Sequence, residues 1–544
     1  MPDWWRTAVV YQIYPRSFAD ADGDGVGDLP GALQRLDHLH RLGVDAVWFS
    51  PFYASPQRDG GYDVADYRAV DPVFGTVADA EAFVARAHEL GIRTILDVVP
   101  NHTSSAHRFF REAMASEPGS PAWSRYHCVR GRGEAGGDPP NNWQSIFAGP
   151  AWSPVRDADG APTGWWYLHL FDSSQPDVNW DHPDVVAEFD AMLRFWFDRG
   201  VDGMRIDVAH GLVKQPGYPD VVPPEGGGAP VTWATPYFDQ PGVHDIYRRW
   251  RDIADSYDPP RIFVAEAWLD SPDKRARYLR QGELHTAFNF DLALAEWDAG
   301  QWRTVIDASL AADAPVGAPT TWVTENHDVR RAPTRYGSRV LHRELPTPDE
   351  IERGRARSLA AILAILALPG TAYLYNGQEL GLEEVIDLPD ELRQDPQFAR
   401  TAGAWLGRDG CRVPLPWRSG GPSLGFGPDA GAAPWLPQPA SWAQRSVEAQ
   451  DADDSSYLRC VQRAIAVRRR EPSLLHGALA WDDAVAPAGV LSFRRAVEGA
   501  RTVACVVTMG DAPANLPEGE VLVASVEPIG GVLPPDAAAW VALG

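Results

Sequence analysis

Gly203-Met204-Arg205-Ile206-Asp207-Val208-Ala209-His210 is the stretch that decides the fold. It is short and mostly apolar, and it ends on charged groups, which is typical of a buried strand that reaches a site. Alternate side chains of a strand share one face, so Arg205 and Asp207 point the same way. A carboxylate beside a guanidinium stays ionised, because the opposite charge favours the anion. Asp207 is therefore a candidate nucleophile, with a purely structural Arg–Asp ion pair as the alternative.

Apolar strands and helical patterns alternate on both sides of this stretch. Helical spacing of apolar residues is found at 33–42, at about 77–90 and at about 185–199. Strands that alternate with helices indicate a parallel sheet covered by helices. The sequence therefore predicts an α/β fold, a (β/α)8 TIM barrel, with its active site at the carboxyl ends of the strands. The predicted strands are 9–14, 46–50, 92–99, 203–210, 261–266, 286–291, 321–328 and 371–375.

Two insertions and a tail complete the domain organisation. Residues 105–174 are rich in Trp, Gly and Pro without a clear helical period, which predicts a subdomain inserted after strand three. A Pro- and Gly-rich insertion after strand eight covers about 381–450, and a helix at about 455–470 follows it. Strand-like segments in the tail predict a C-terminal antiparallel β domain. The predicted domains are 1–104 and 175–472 for the barrel, 105–174 for the inserted subdomain and 473–544 for the β domain.

Composition limits the class of partner. The net charge of −25 over 544 residues argues against nucleic acid and anionic membranes. The four cysteines are widely scattered, without metal or disulfide spacing, so free thiols in a reducing compartment are expected. The sequence shows neither a secretory signal nor an apolar run of about 18 residues. We therefore expect a cytoplasmic protein, a monomer or homodimer that does not span a membrane.

A second charged stretch, residues 20–28, places acidic side chains at alternate positions with glycines between them. It resembles the first half of an EF-hand loop, although Gly31 stands where that loop carries its bidentate Glu. A solvated acidic loop is the alternative. The stretch predicts a structural Ca²⁺ or Mg²⁺ site formed by the carboxylates of Asp20, Asp22, Asp24 and Asp28 with the carbonyl of Val26.

Three carboxylates stand at the ends of predicted strands four, five and seven: Asp207, Glu266 and Asp328. Retaining glycoside hydrolysis needs two carboxyl groups, one ionised as the nucleophile and one that holds a proton for the leaving oxygen. Glu266 lies in an apolar setting, which favours the protonated form, so we interpret it as the general acid/base. Unrelated acids at strand ends are the alternative.

Several motifs resemble the signature regions of glycoside hydrolase family 13, the α-amylase family. They span nearly the whole chain, and their forms at Gln175–Asn179 and Val10–Phe18 are similar to the oligo-1,6-glucosidase and α-glucosidase branch. The other motifs are Asp97-Val-Val-Pro-Asn101-His102, Gly203-Met-Arg205-Ile-Asp207, Val264-Ala-Glu266, Glu325-Asn-His327-Asp328 and Asp409-Gly-Cys-Arg412-Val-Pro-Leu-Pro-Trp417.

The resemblance implies a role for each matching residue. Asp207 matches the nucleophile, Glu266 the acid/base, and Asp328 the acid that binds and distorts the terminal sugar. Asp59 matches a pocket acid with which Arg412 pairs, and this pair closes the pocket so that only a chain end fits. Further matches around the terminal glucose are Arg205, His102, His327 and the stacking ring Tyr62, and on the aglycone side Phe147 and Phe171. For Tyr62, Phe147 and Phe171, plain core packing is the alternative.

Two departures from the branch fall where the second sugar is expected. The Asp of strand seven is followed by Val329 where the branch often has Gln, and the motif at Arg412–Trp417 has Leu and Pro in place of Met and Gln. Val208 resembles the α-1,6-active members, whereas Ala209-His210 does not. The preference between α-1,4 and α-1,6 linkages therefore stays open.

The leading hypothesis is an exo-acting, retaining α-glucosidase for short oligosaccharides. A glucosyltransferase or a sucrose- or trehalose-processing enzyme is the near alternative, because a sugar alcohol that reaches the intermediate before water gives transfer. Non-catalytic heavy chains of amino-acid transporters share the fold, but they carry a membrane helix and lack the acids. A pure carbohydrate-binding module does not need Asp207 and Glu266 on separate strands.

Overall fold

The computed structural model of the protein describes residues 3–222, 235–339, 343–482 and 487–544. Eight strands form one parallel sheet: β1 (Val9–Ile13), β2 (Ala46–Phe49), β3 (Arg93–Val98), β4 (Gly203–Ile206), β5 (Ile262–Ala265), β6 (Thr286–Ala287), β7 (Thr321–Val323) and β8 (Thr371–Tyr375). Their order in the sheet is β6-β5-β4-β3-β2-β1-β8-β7. The Thr321 hydroxyl donates to the Ala287 carbonyl and so links β7 with β6. The sheet is thus nearly closed, and the predicted (β/α)8 barrel is confirmed.

Helices cover the outside of this sheet, which buries the strands on both faces, as continuous apolar runs predict. Local signals set many helix ends. Thr76 forms a capping box with Asp79 at the start of Val77–Glu89, and Gly43, with φ of 91°, ends Leu36–Leu42. Among the described residues, none of the helices has both the length and the apolar character needed to cross a membrane. The helices are Leu29–Gln34, Leu36–Leu42, Val77–Glu89, Arg108–Met114, Pro183–Phe197, Val243–Asp255, Pro272–Arg277, Phe290–Leu294, Ala299–Asp313, Ala332–Gly337, Pro348–Ala367, Pro396–Arg400, Val447–Asp451, Tyr457–Arg470 and Pro472–His476.

Five predicted elements need correction. Strand four, predicted to reach His210, ends at Ile206, and residues 207–210 form a turn. The helix at 33–42 is two helices that break at Arg35, whose φ of −99° and ψ of 2° leave the helical region. Strand six stops after two residues because a helix begins at Phe290. Strand seven stops at Val323, and Asn326 Oδ1 accepts from the backbone N–H groups of Asp328 and Val329, which turns the chain. Residues 105–174 contain a helix, Arg108–Met114, that the analysis did not predict.

The insertion after β3 and the tail both form antiparallel sheets. The insertion contributes three strands, in which Pro162–Leu168 lies between Cys128–Arg130 and Trp152–Arg156. The tail forms a five-stranded sheet, which confirms the predicted C-terminal β domain. The exact domain boundaries stay predictions. The tail strands, in spatial order, are Ala478–Trp481, Val490–Ala496, Val503–Thr508, Ala537–Ala542 and Glu520–Ala524, and a separate pair joins Ala514–Asn515 to Val532–Leu533.

Candidate active site

A cavity of about 870 Å³ opens at the carboxyl ends of the barrel strands. Most of the residues predicted from the sequence line it directly: Asp59, Tyr62, His102, Phe147, Phe171, Asp207, Glu266 and Asp328. Arg205, His327 and Arg412 are buried behind this lining, and each contacts a carboxylate of the cavity wall. The structure therefore brings all the predicted catalytic and substrate-binding residues to one place.

The first group of charges surrounds Arg205 on β4. Its Nη1 donates to Asp207 Oδ1 at 2.7 Å and to Asp97 Oδ1 at 3.0 Å, and its Nη2 lies 3.4 Å from Glu266 Oε2. Burial raises the pKa of Asp207 well above its ordinary value and that of Asp97 to about 7, and the Arg205 guanidinium opposes both shifts. The Arg–Asp ion pair therefore exists, but Asp207 also faces the cavity, so the pair is not purely structural.

Glu266 follows β5 directly and is held by two hydrogen bonds. The Val208 backbone N–H donates to its Oε2 at 2.8 Å, and Trp268 Nε1 donates to its Oε1 at 2.7 Å. Val208 has φ of 45°, a conformation that β-branched residues rarely adopt. The strained turn after Asp207 thus reaches across to Glu266 and fixes the two candidate catalytic carboxylates relative to each other. The Trp268 ring stacks on the ring of Phe290, with 3.9 Å between the two ring centroids, and this contact holds it in place.

Arg408, which lines the cavity, binds three acids. Its guanidinium contacts Asp59 Oδ1 at 2.7 Å, Asp328 Oδ1 at 3.0 Å and Asp395 Oδ2 at 2.5 Å. Burial raises the pKa of Asp59 to about 6, because Arg408 only partly offsets the desolvation of this carboxyl group. The predicted pairing of Asp59 with Arg412 is wrong. Arg412 instead donates to the His327 carbonyl at 2.9 Å and to Asp328 Oδ1 at 2.9 Å.

Asp328 is the candidate acid with the strongest preference for the ionised form. Burial opposes ionisation, but the contacts with His327, Arg408 and Arg412 outweigh burial and lower the pKa of Asp328. The Asp328 carboxylate keeps about a quarter of its side-chain surface exposed, toward the cavity. It is therefore a fixed negative charge that faces any bound sugar.

His102 and Gln175 complete the wall beside Asp59. Gln175 Nε2 donates to Asp59 Oδ2 at 3.0 Å and lies 3.2 Å from His102 Nε2. Burial lowers the pKa of His102 to about 4, so its ring is neutral near neutral pH. Phe171 lies with its ring centroid 5.2 Å from that of His102 and 5.4 Å from that of Phe147. These rings form an aromatic wall that faces the cavity, so core packing alone does not describe them.

Several residues that line the cavity were not predicted from the sequence. Arg408 stands one position before the quoted motif at Asp409–Trp417, and this adjacency is the signal that could have found it. Trp405 is 66% exposed on the cavity rim, and no motif marks it. The other lining residues without a prediction are Gln144, Ser145, Ile146, Ala148, Gly149, Thr235, Tyr237, Phe238, Trp268, Gln397 and Thr401.

The two departures from the family pattern do not reach the cavity. Val329 is buried and lines a separate cavity of about 70 Å³ behind Asp328. Leu415 is fully buried in the main hydrophobic core. Contact of these positions with a second sugar stays a prediction without support from the cavity lining, which does contain the aromatic residues Trp405, Tyr237 and Phe238.

Lys214 is a buried residue that connects three segments of the chain behind the cavity lining. Its Nζ lies 2.8 Å from Asp177 Oδ2 and 2.8 Å from Asn101 Oδ1, and it also donates to the Gly211 carbonyl. Asp177 belongs to the quoted motif at Gln175–Asn179 and is fully buried. Burial lowers the pKa of Lys214, while Asp177 opposes that shift. One ammonium thereby ties the turn after β4 to the segments that carry His102 and Gln175.

The acidic stretch at residues 20–28 lies outside the cavity lining. Ligand oxygens of Asp20, Asp22 and Asp28 lie within 4.8 Å of one another, which suits a hard cation. Asp24 lies outside this group, and its Oδ1 accepts from the Val26 backbone N–H. The carboxylates of Asp20 and Asp28 also accept several backbone N–H groups of the loop, so the loop is ordered by its own hydrogen bonds.

Comparison with known sequences gives consistent matches over nearly the whole chain. The sequence model described as "Alpha amylase, catalytic domain" matches residues 12–477. A probable α-glucosidase of Rhizobium meliloti is 36% identical over 97% of this chain and 93% of its own length. A trehalose-6-phosphate hydrolase of Escherichia coli is 37% identical over 88% and 86%, and an oligo-1,6-glucosidase of Parageobacillus thermoglucosidasius is 34% identical over 87% and 85%.

Solved structures match the fold with the same coverage. The α-glucosyl transfer enzyme XgtA superposes with a TM-score of 0.85 at 37% identity, over 99% of both chains. The trehalulose synthase MutB of Pseudomonas mesoacidophila MX-45 superposes with a TM-score of 0.84 at 31% identity, also over 99% of both chains.

Proposed function

Since the chain belongs to the α-amylase family of glycoside hydrolases, in its α-glucosidase and oligo-1,6-glucosidase branch, we propose that it is an exo-acting, retaining α-glucosidase. It removes terminal non-reducing α-linked glucose from short oligosaccharides through a covalent glucosyl-enzyme intermediate. The observation that carries this proposal is that Asp207, Glu266 and Asp328 face one cavity. A non-catalytic role as a transporter heavy chain is not supported, because all three acids are present and positioned.

In the proposed mechanism, Asp207 attacks the anomeric carbon while Glu266 gives its proton to the leaving oxygen. The bond from carbon to the leaving oxygen breaks as the bond to Asp207 forms, and Glu266 then takes a proton from the water that releases glucose. Arg205, whose guanidinium is 2.7 Å away, opposes the burial that raises the pKa of Asp207 and so favours the carboxylate that the attack needs. It stabilises this carboxylate again when water releases glucose from the intermediate. Asp328 stays ionised, and its negative charge stabilises the positive charge that develops on the sugar ring.

The exo mode rests on the contacts of Arg408. Asp59 follows β2 and Arg408 follows β8, the two strands that flank β1, so their ion pair bridges the barrel mouth above β1. The same guanidinium reaches Asp328, and we expect this cluster of buried charges to close the cavity on that side. A chain that continued past the terminal glucose would have to displace this buried ion pair.

A time course on maltoheptaose tests the proposal. Glucose and maltohexaose are expected as the first products, whereas an endo-acting enzyme gives maltose and maltotriose early. Asp207→Asn and Glu266→Gln are expected to lower kcat by at least about 10³-fold while the proteins stay folded. Asp245→Asn, which changes an exposed carboxylate, is the matched control. Retained turnover in Asp207→Asn contradicts the proposal.

The charge of the cavity argues against a phosphorylated substrate, although one relative is named a trehalose-6-phosphate hydrolase. Four carboxylates line the cavity, whereas the one guanidinium among its described lining residues, that of Arg408, already binds three acids. A phosphate dianion placed here gains no counter-charge. We therefore expect trehalose 6-phosphate to be a poorer substrate than unphosphorylated disaccharides of glucose.

Transfer of glucose to an acceptor sugar is the second candidate. It is favoured by the likeness to structures named as a glucosyl transfer enzyme and a trehalulose synthase. The acceptor side of the cavity is aromatic, with Phe147, Tyr237, Phe238 and Trp405, and such faces bind sugar rings. If transfer dominates, longer or isomerised saccharides exceed free glucose as the maltose or sucrose concentration rises.

For the acidic stretch, we propose a structural Ca²⁺ or Mg²⁺ ion held by Asp20, Asp22 and Asp28, the acids whose ligand oxygens lie together. Elemental analysis of the purified protein and thermal unfolding with and without chelator test this proposal. A cation would cancel the mutual repulsion of the three carboxylates, so the melting temperature is expected to fall on chelation while the catalytic acids are untouched. A cytoplasmic location and a monomeric or homodimeric state stay predictions.

A further inference from the structure

A buried glutamine of β1 contacts the ring of His327 behind the cavity. Gln12 is 1% exposed, and its Nε2 lies 2.7 Å from His327 Nδ1 and 3.0 Å from Ser50 Oγ. On the other edge of the same ring, His327 Nε2 lies 2.7 Å from Tyr62 Oη and 3.2 Å from Asp328 Oδ2. Both ring nitrogens of His327 are therefore engaged, one on each side.

These contacts determine which ring nitrogen carries the hydrogen. Asp328 Oδ1 accepts from both Arg408 and Arg412, so this side chain is a carboxylate that only accepts, and the His327 nitrogen 3.2 Å from its Oδ2 must carry the hydrogen. The hydrogen of the neutral ring is therefore on Nε2. Nδ1 is then a bare acceptor, and Gln12 must present its amide N–H to it rather than its carbonyl oxygen.

The same logic extends one step to Tyr62. Its hydroxyl donates to Asp97 Oδ2 at 3.0 Å, because that oxygen also accepts from Arg205 Nη1 at 3.1 Å and from Trp48 Nε1 at 3.3 Å and so acts as an acceptor. The Tyr62 oxygen is thereby free to accept from His327 Nε2. The hydrogen bonds run in one direction, from Gln12 through His327 and Tyr62 to Asp97, and Asp97 in turn is bound by Arg205.

The charged groups around His327 favour its neutral form. Arg205 from β4 and Arg408 and Arg412 from the segment after β8 act against a positive ring, and Asp328 acts for it. The ring is also packed against Trp48, Tyr14 and Tyr62, at centroid distances of 6.0, 5.9 and 5.3 Å. Burial is the largest cause of a pKa of His327 well below its ordinary value, and the three arginines add to it.

We propose that Gln12 is a positioning residue that holds His327 as the neutral Nε2–H tautomer, so that the ring presents one uncharged donor to Tyr62 and Asp328, the two neighbours that line the cavity. The inference deepens the proposed function, since it concerns the same sugar-binding end of the cavity. A glutamine suits this task because its amide donates to Nδ1 and carries no charge. A glutamate of the same shape would accept from Nδ1 and reverse the arrangement.

A direct test reads the tautomer without any substrate. Protein labelled with ¹⁵N- and ¹³C-histidine is compared with a His327→Asn sample, which identifies the His327 signals among the 14 histidines. The expected result is a bare Nδ1 and a protonated Nε2 between about pH 6 and 8. A protonated Nδ1 in the wild type overturns the proposal. Because this readout needs no turnover, it is decided even if the protein is not an α-glucosidase.

Kinetics supply the second arm. Gln12→Glu places an acceptor at Nδ1, so His327 gains a proton there and its pKa rises, and kcat/KM is expected to fall about 100-fold at pH 7 with a new ionisation in the pH profile. Gln12→Met, which lacks donor and charge, is expected to lose about 10-fold without that new ionisation. Gln450→Glu makes the same change at a buried glutamine that contacts the Leu380 and Arg445 carbonyls and controls for stability. Identical pH profiles for Gln12→Glu and Gln450→Glu overturn the proposal.

Discussion

Replacing Arg408 by Met tests the ion pair that closes the cavity. The Arg408 Nη2 to Asp59 Oδ1 distance is 2.7 Å, and the side chains are 15% and 5% exposed. Removing one partner of a buried ion pair costs about 3–5 kcal/mol, because the remaining charge is left without compensation. After the substitution Asp59 keeps the neutral donor Gln175 Nε2 at 3.0 Å, whereas Asp328 keeps the charged donor Arg412 at 2.9 Å. The cost should therefore fall on Asp59 and on the fully buried Asp395, which keeps only the backbone N–H groups of Gln397 and Arg408 as donors.

A double-mutant cycle measures this assignment. Urea unfolding of the wild type, Arg408→Met, Asp59→Asn and the double variant is expected to give a coupling of about 1–3 kcal/mol, as contacting buried charges do. The parallel cycle of Arg412→Met with Asp59→Asn is expected to stay below about 0.5 kcal/mol. Arg418→Met, which removes an arginine of an exposed pair, controls for the change of charge. A larger coupling in the Arg412 cycle would refute the pairing described here.

Three further predictions concern the buried Lys214–Asp177 pair, the exposed Trp405 at the cavity rim and the pH dependence that Asp59 contributes to stability. Lys214→Met leaves the buried Asp177 without its ammonium partner, so the free energy of chemical unfolding should fall by about 3–5 kcal/mol. Lys274→Met, which removes the partly exposed pair with Asp270, is the control and should change this free energy by less than about 1 kcal/mol. Trp405→Ala removes a 66% exposed ring from the cavity rim, so it should leave the melting temperature nearly unchanged and raise KM for maltotriose about 3–10-fold; unchanged KM contradicts this role. Asp59 has a pKa of about 6 when folded and about 3.9 when unfolded, so it holds more protons in the folded state between these values. Its share of the stability should therefore fall by about 2 kcal/mol as pH rises from about 4 to 7, and Asp59→Asn should flatten that part of the curve measured by unfolding at each pH.

The barrel was predictable from the sequence because its strands are apolar on both faces and its helices end at glycines. β1 and β2 follow this pattern closely, and each of their residues is buried. β6 is shorter than predicted because apolar Phe288 and Phe290 continue past its last ladder residue and into a helix. β7 is shorter because the polar segment 324–328, which was predicted as part of the strand, turns at Asn326. The spacing of apolar residues predicts which residues are buried, but it does not predict where the backbone stops pairing with the neighbouring strand.

The candidate site was likewise predictable from the sequence only in part. The carboxylates at Asp207 and Glu266 were predictable because each follows directly on a barrel strand, so the fold alone brings them together. The partner of Asp59 was not predictable, because Arg408 lies 349 positions away and Arg412, four residues later, has the same charge. The left-handed backbone of Val208 was equally hidden, since valine disfavours it and only the tertiary contact with Glu266 reveals it.

The anomeric form of the first glucose released tests the central claim most directly. Proton NMR during the first minutes of hydrolysis, before mutarotation, distinguishes α- from β-glucose on maltose and on isomaltose. The account predicts α-glucose, produced by two displacements through a covalent bond to Asp207, with either linkage. β-Glucose would mean a single displacement by water and would contradict the assignment of Asp207 as the nucleophile.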